Sequence, residues 1–280
     1  MEMGFNQIYN SAEVLLNYSY SVSEEVENKF LTLIHGFTGS GKDWELQISG
    51  GFLKVANLIL PDVIGHGESG CPNDLQQYYM QNLVKDLSNI LEGAFTSPTT
   101  LLGYSLGGRL ALRFALAYPH LVEALILESA SPGIKDETER QKRIESDNAL
   151  ADFIEREGVE TFVNYWESLP LWESQKHLPQ AVLAKQRQQR LNNNPVGLAN
   201  SLRGAGAGVE LPLYDQLPKL TMPVLIVVGE LDTKYCAIGR EMQELIPHAR
   251  LEIVPSAGHN VHLEKPEIFN RLVLNFLNER

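Results

Sequence analysis

Apolar residues fall into short unbroken runs, separated by longer segments where they recur every three or four positions. The runs are Phe30 to His35 (FLTLIH), Ala56 to Leu60 (ANLIL), Thr99 to Tyr104 (TTLLGY), Ala124 to Leu127 (ALIL), Pro223 to Val228 and Arg250 to Val254. Apolar throughout and bounded by Gly or Pro, they suit strands buried on both faces of a parallel sheet. Val14 to Tyr20 alternates in part and reads as an edge strand. Between the runs, Leu83, Leu87, Ile90 and Leu91 recur at helical spacing, as do Leu106, Leu110, Phe114 and Ala117, and Ile268, Leu272, Phe276 and Leu277. Strand and helix alternate, which predicts an α/β fold with a mostly parallel sheet flanked by helices.

One stretch breaks the alternation. From about Gly133 to Gly208 no strand pattern occurs, and Glu139 to Glu157, Glu160 to Glu167 and Gln180 to Leu191 read as charged helices. The expected organisation is a core of residues 1–132 and 209–280, with 133–208 as a helical cap inserted between two sheet strands.

Four segments carry candidate chemistry. Gly103-Tyr104-Ser105-Leu106-Gly107 matches G-x-S-x-G. It follows an apolar strand and opens an amphipathic helix, the context in which a sharp turn pushes a serine hydroxyl out at the sheet's edge. A serine hydroxyl needs a base, and His259 is placed for it in a loop after the last predicted strand. His35 and His66 also lie in glycine loops near that edge. His262 is on the way into a helix, and His120, His177 and His248 read as surface residues. The orienting acid is expected just after an earlier strand; in Gly229-Glu230-Leu231-Asp232, Asp232 is the choice over Glu230. It also reads as a helix N-cap. The glycine-rich His35-Gly36-Phe37-Thr38-Gly39 loop offers outward N–H groups, so the amides of Phe37 and Leu106 are candidates for an oxyanion hole.

Composition narrows the function. The 280 residues carry a formal charge of −12, which argues against nucleic acid as a partner. The two cysteines, Cys71 and Cys236, make neither a zinc site nor a disulfide scaffold; free thiols, no metal and no cofactor are expected. MEMGFNQIYN has no basic patch followed by an apolar run, and no apolar run approaches the ~20 residues that span a bilayer. A cytoplasmic protein with no membrane insertion is expected.

These residues, with the order Ser105, Asp232, His259, resemble the α/β-hydrolase superfamily over the whole chain. The Pro61–Ser69 segment (PDVIGHGES) matches the loop after its third core strand. A narrower resemblance rests on HGFTGSGKDW, GYSLGGRLAL, ESASPGI, the Glu139–Arg143 cluster, RLNNNPVGLANSLRG, GELDTK and AGHNVHLEKP. These are similar to the 2-succinyl-6-hydroxy-2,4-cyclohexadiene-1-carboxylate synthase family of menaquinone and phylloquinone biosynthesis. The resemblance implies an α/β-hydrolase fold with a helical cap and a lyase that eliminates pyruvate from a small polyanionic carboxylate. It implies that Ser105, activated by His259 and Asp232, takes the proton, and that Arg109, Arg143 and Arg190 bind carboxylates. Tyr104 and Lys234 would flank the pocket; Trp166 and Trp172 would wall it from the cap. Arginine's planar fork suits carboxylates, and Arg109 lies one helical turn after Ser105 on the same face. A serine hydrolase of esters or carbon–carbon bonds, or a non-catalytic ligand receptor on the same fold, remains open on the motifs alone.

Overall fold

The computed structural model describes residues 4–10, 12–23, 26–94 and 97–279. Its strands are β1 (Gly4–Tyr9), β2 (Leu15–Ser21), β3 (Phe30–Ile34), β4 (Asn57–Pro61), β5 (Thr99–Tyr104), β6 (Val122–Glu128), β7 (Val224–Gly229) and β8 (Ala249–Val254). Its helices are α1 (Glu45–Ser49), α2 (Met80–Ala94), α3 (Leu106–Ala117), α4 (Glu137–Glu167), α5 (Gln180–Leu191), α6 (Pro195–Ala205), α7 (Thr233–Leu245), α8 (Val261–Glu264) and α9 (Pro266–Asn278). The strands form one sheet in the order β1-β2-β4-β3-β5-β6-β7-β8. From β4 through β8 every pairing is parallel; β2 is antiparallel to both β1 and β4.

The expected edge strand at Val14 to Tyr20 is therefore an interior strand, because β1 pairs along its outer side. β1 (GFNQIY) lacks the continuous apolar run by which the others were recognised. At the opposite edge β8 is only half buried over most of its length, whereas β4, β5 and β7 are buried at every position.

Both faces of the sheet are covered. Leu83, Leu87, Leu110, Phe114 and Met242 of α2, α3 and α7 close one side. Trp44, Phe52, Phe269, Val273 and Phe276 close the other. Helices α4 to α6 occupy the stretch between β6 and β7 and hold a separate apolar cluster that includes Ile154, Phe162, Val163 and Leu198. α4 is one long helix with a kink at Gly158, whose φ of +80° suits glycine. This kink separates the two helices expected at Glu139 to Glu157 and Glu160 to Glu167. In such sheets ligands gather beyond the carboxyl ends of the strands, where the strand order reverses. Here β3 runs between β4 and β5, and the loops that follow β3, β5, β7 and β8 carry the candidate chemistry.

Candidate active site

The nucleophile turn is held by close approach. Ser105 sits between β5 and α3 with φ +51° and ψ −105°, a strained backbone for a non-glycine residue. Its N–H donates to the Glu128 carbonyl at 2.9 Å. The flanking glycines serve packing: a Cβ on Gly107 would strike the carbonyls of Ile34 and His35, and one on Gly103 the backbone at Gly107. The positive φ thus falls on the serine itself.

The structure brings Ser105, His259 and Asp232 together. His259 Nε2 lies 3.1 Å from Ser105 Oγ, and His259 Nδ1 lies 2.7 Å from Asp232 Oδ2. Asp232 caps α7 as well: its other oxygen accepts from the Tyr235 N–H at 3.2 Å. The helix cap and the histidine partner are one side chain, and the cap fixes the carboxylate that orients the imidazole. His259 is buried. With Nδ1–H donating to the carboxylate, Nε2 is left to accept the serine proton.

The loop after β3 is fixed by its own histidine. His35 Nε2 accepts from the Val63 N–H at 3.0 Å, so its proton is on Nδ1, which donates to the Gly36 carbonyl at 2.7 Å. A trans peptide holds C=O and N–H antiparallel. The Phe37 N–H therefore points away from the His35 ring. Leu106 is the first residue of α3, where amides lack intrahelical acceptors. Burial drives His35 down to about 4 and its ring neighbour His66 to about 3, so both are neutral. Asp62 ties this loop to the next one, accepting from the amides of Gly41 and Glu68 at 2.8 and 2.9 Å.

Rings from α4 and from the turn after it lie over the triad. Trp172 meets the His259 ring edge-on at 6.1 Å, Trp166 packs between Phe37 (5.5 Å) and Trp172 (5.8 Å), and Tyr104 lies 5.5 Å from His259. Asn193 reaches down to the Thr38 carbonyl at 2.9 Å, and Arg109 Nη1 reaches up to the Ala205 carbonyl at 2.8 Å. Burial lowers Arg109 to about 10, with Arg143 nearby adding to the fall. The Arg143 Nε–H is shared by the two carboxylate oxygens of Asp147 at 2.8 and 2.9 Å. Arg190 is buried, bonds Glu167 at 3.1 Å and stacks over Trp172 at 5.1 Å. It lines a cavity of about 110 Å³ with Phe37, Tyr104 and Trp172.

Lys234 is the exception to the expected set. It is exposed on the first turn of α7. The neighbouring Tyr235 instead packs its ring on His259 at 4.7 Å. Sequence reasoning missed Tyr235, although an N-cap at Asp232 places the third helical residue back over the cap. It also missed a second histidine–carboxylate pair. His262 Nδ1 and its backbone N–H reach the two oxygens of Glu128 at 2.7 and 2.9 Å, fully buried beneath Tyr104. Glu128 thus takes the Ser105 amide on its carbonyl and the histidine loop on its carboxylate.

A model of the alpha/beta hydrolase fold matches residues 30–266. The chain is 44% identical over 260 residues to a Bacillus subtilis (strain 168) protein that bears the name 2-succinyl-6-hydroxy-2,4-cyclohexadiene-1-carboxylate synthase provisionally; the match covers 92% of this chain and 94% of that one. It is 31% identical to the synthase of that name from Enterobacter sp. (strain 638), over 85% of this chain and 87% of the other. The chain belongs to the α/β-hydrolase family and, within it, to the family of these synthases. The structure of MenH from S. aureus superimposes with a TM-score of 0.90 at 35% identity, covering 94% of this chain and 98% of that one. In this synthase family member no helix among the described residues is long and apolar enough to cross a membrane.

Proposed function

We propose that this chain is a carbon–oxygen lyase that eliminates pyruvate from 2-succinyl-5-enolpyruvyl-6-hydroxy-3-cyclohexene-1-carboxylate, giving 2-succinyl-6-hydroxy-2,4-cyclohexadiene-1-carboxylate. Ser105, relieved of its proton by His259, takes the proton next to the succinyl ketone. The amides of Phe37 and Leu106 stabilise the charge that gathers on the ketone oxygen. Electrons move through the ring double bond and expel the enolpyruvyl group. Asp232 stabilises the imidazolium that forms on His259. Arg109, Arg143 and Arg190 hold the carboxylates, Tyr104, Trp166 and Trp172 enclose the ring, and residues 133–208 act as the cap that carries two of these arginines.

The observation that carries this reading is Arg190. A buried guanidinium loses hydration, and burial lowers its pKa despite Glu167. A neutral ester has no use for a cation beside Tyr104 and Phe37, whereas a polyanion does. The test is incubation with the enolpyruvyl substrate, following pyruvate by a coupled dehydrogenase and the diene by absorbance. Stoichiometric appearance of both is expected. Turnover of simple esters with no pyruvate from this substrate would return the chain to the hydrolases.

A further inference from the structure

Asp43 stands, without a counter-ion, in a cavity that reaches the triad through Tyr104 and Trp172, the two rings packed on His259. It belongs to the short turn Gly41–Trp44 that follows the Phe37 loop, and the Ser40 side chain caps that turn. Trp44, next in sequence, is fully buried and packs tilted against the His262 ring at 4.5 Å, which holds the turn against the histidine loop. The Asp43 carboxyl lines the same cavity as Phe37, Tyr104, Trp172 and Arg190. Among the described residues no cation lies within ion-pair reach of it. The cations around it are engaged elsewhere: Arg190 with Glu167, Lys42 with Glu68, and Lys185 with Glu45.

The Ser40 backbone N–H bonds the Asp43 carboxyl and favours its charged form, yet a carboxylate without a counter-ion in a cavity that receives an anion is a repulsive element. It becomes a useful one when it carries a proton. Burial pushes Asp43 up to about 6, against the opposing pull of His262 and Arg190 and with help from Asp62. The carboxylates of a bound substrate push it further in the same direction. Across the cavity stand one carboxyl and one guanidinium. They complement a small fragment that bears one carboxylate and one oxygen that turns basic as its bond breaks.

Resting on the elimination proposed above, we propose that Asp43 is a catalytic acid that gives its proton to the oxygen of the departing enolpyruvyl group. The ring C–H bond breaks and its proton passes through Ser105 to His259. The ring C–O bond breaks, its electron pair goes to the enolpyruvyl oxygen, and an O–H bond forms there with the Asp43 proton. The enol of pyruvate leaves and tautomerises. Asp43 is left as carboxylate and His259 as imidazolium, and water returns the proton from one to the other. No other reactant enters.

The experiment compares wild type, Asp43→Asn and Asp43→Glu by pyruvate release across pH, with phosphonylation of Ser105 by a fluorophosphonate as a measure of site integrity. General acids contribute about 10²–10⁴ in rate, so Asp43→Asn is expected to lower kcat by about a hundredfold or more. KM should change only a few fold, with phosphonylation intact. Asp43→Glu restores part of the rate, since a proton is again available. In wild type, kcat/KM falls as pH rises above about 6, where free Asp43 ionises. The groups facing it are His262 on the histidine loop, Arg190 and Lys185 on the cap, Tyr104 at the elbow, Asp62 after β4, and Lys42 and Glu45 beside it. In Asp43→Asn that alkaline fall disappears. An unchanged kcat with the fall retained overturns the proposal. So does joint loss of turnover and phosphonylation, because a damaged loop then explains both. Wild type that releases no pyruvate at any pH refutes the elimination itself, and this role with it.

Discussion

Ser105, His259 and Asp232 come from three separate loops at one edge of the sheet and meet at 3.1 and 2.7 Å, with the Tyr235 N–H holding the other oxygen of Asp232. Arg143 and Arg190 come from cap helices, and each already holds a carboxylate of its own, Asp147 and Glu167. The three triad side chains are already within hydrogen-bond reach of one another, whereas these two arginines are engaged with carboxylates of the protein itself. A preorganised base costs no rearrangement at the moment of reaction. Arg190, the more buried of the two, is held by Glu167, because a lone buried charge is far more costly than a paired one. On the proposed reading, an arriving carboxylate shares Arg190 with Glu167 or displaces Glu167. On the same reading, chemistry is fixed at the strand ends, and two of the three carboxylate-binding arginines act by exchanging partners on α4 and α5.

The largest effect should come from breaking the triad. Ser105→Ala and His259→Ala are each expected to lower kcat by about a thousandfold or more, and the double variant by little more than either, because members of one unit are not additive. Steady-state pyruvate release on all three variants checks this. Multiplying losses would mean that serine and histidine serve separate steps.

Next is the more buried cation. Arg190→Ala should lower kcat/KM by about ten- to a hundredfold, since a charge-assisted hydrogen bond is worth roughly 1.5–3 kcal/mol. Glu167 keeps a partner in this variant, because Arg187 bonds it at 2.6 Å, so the Tm should hardly move. Normal turnover by Arg190→Ala would make this arginine a cap strut only and leave the cation half without its main member.

The two halves also differ in how far they could be read from the chain. Ser105, Asp232 and His259 announce themselves because each lies in a strand-end motif whose local backbone already fixes its place. The glycines at 103 and 107 had a legible role, since the approach of Gly107 to the Ile34 carbonyl excludes any side chain. The partners of the arginines are harder. Arg143 and Asp147 stand one helical turn apart, and their spacing exposes the pair, yet nothing local joins Arg190 to Glu167 or His262 to Glu128, which are 23 and 134 residues apart. Only the fold brings those together. β1 escaped notice for a related reason: GFNQIY has no apolar run of its own and gains its place by pairing with β2.

A smaller effect separates recognition from stability at Arg143. Arg143→Ala should lower kcat/KM by about tenfold, and it also strands the buried Asp147 carboxylate, so the Tm falls. Adding Asp147→Asn removes that stranded charge. Calorimetry and kinetics on the double variant should show the Tm recovered and kcat/KM still depressed. Recovery of both would mean that Arg143 serves only Asp147.

The smallest effect belongs to Lys234, where the resemblance and the geometry part. The motif GELDTK suggests a cation flanking the pocket, but Lys234 is exposed on the first turn of α7, two residues beyond Asp232. A lysine there opposes the helix macrodipole, which favours negative charge at an N-terminus. Removing it from so exposed a position changes stability by no more than about 0.5 kcal/mol, in the stabilising direction. Its long-range attraction for a polyanion is screened beyond about 10 Å at 0.1 M salt. Lys234→Ala should therefore lower kcat/KM by less than about twofold in 0.15 M salt, a factor that corresponds to under ~0.5 kcal/mol. The deficit should grow as salt is lowered, because steering by exposed charge is a matter of ionic strength. Titrating kcat/KM against salt for wild type and Lys234→Ala decides it. A tenfold loss at 0.15 M, insensitive to salt, would mean that the side chain folds over and grips the substrate. The proposed cation set would then extend onto α7 beside Asp232, as it already extends onto α3 through Arg109.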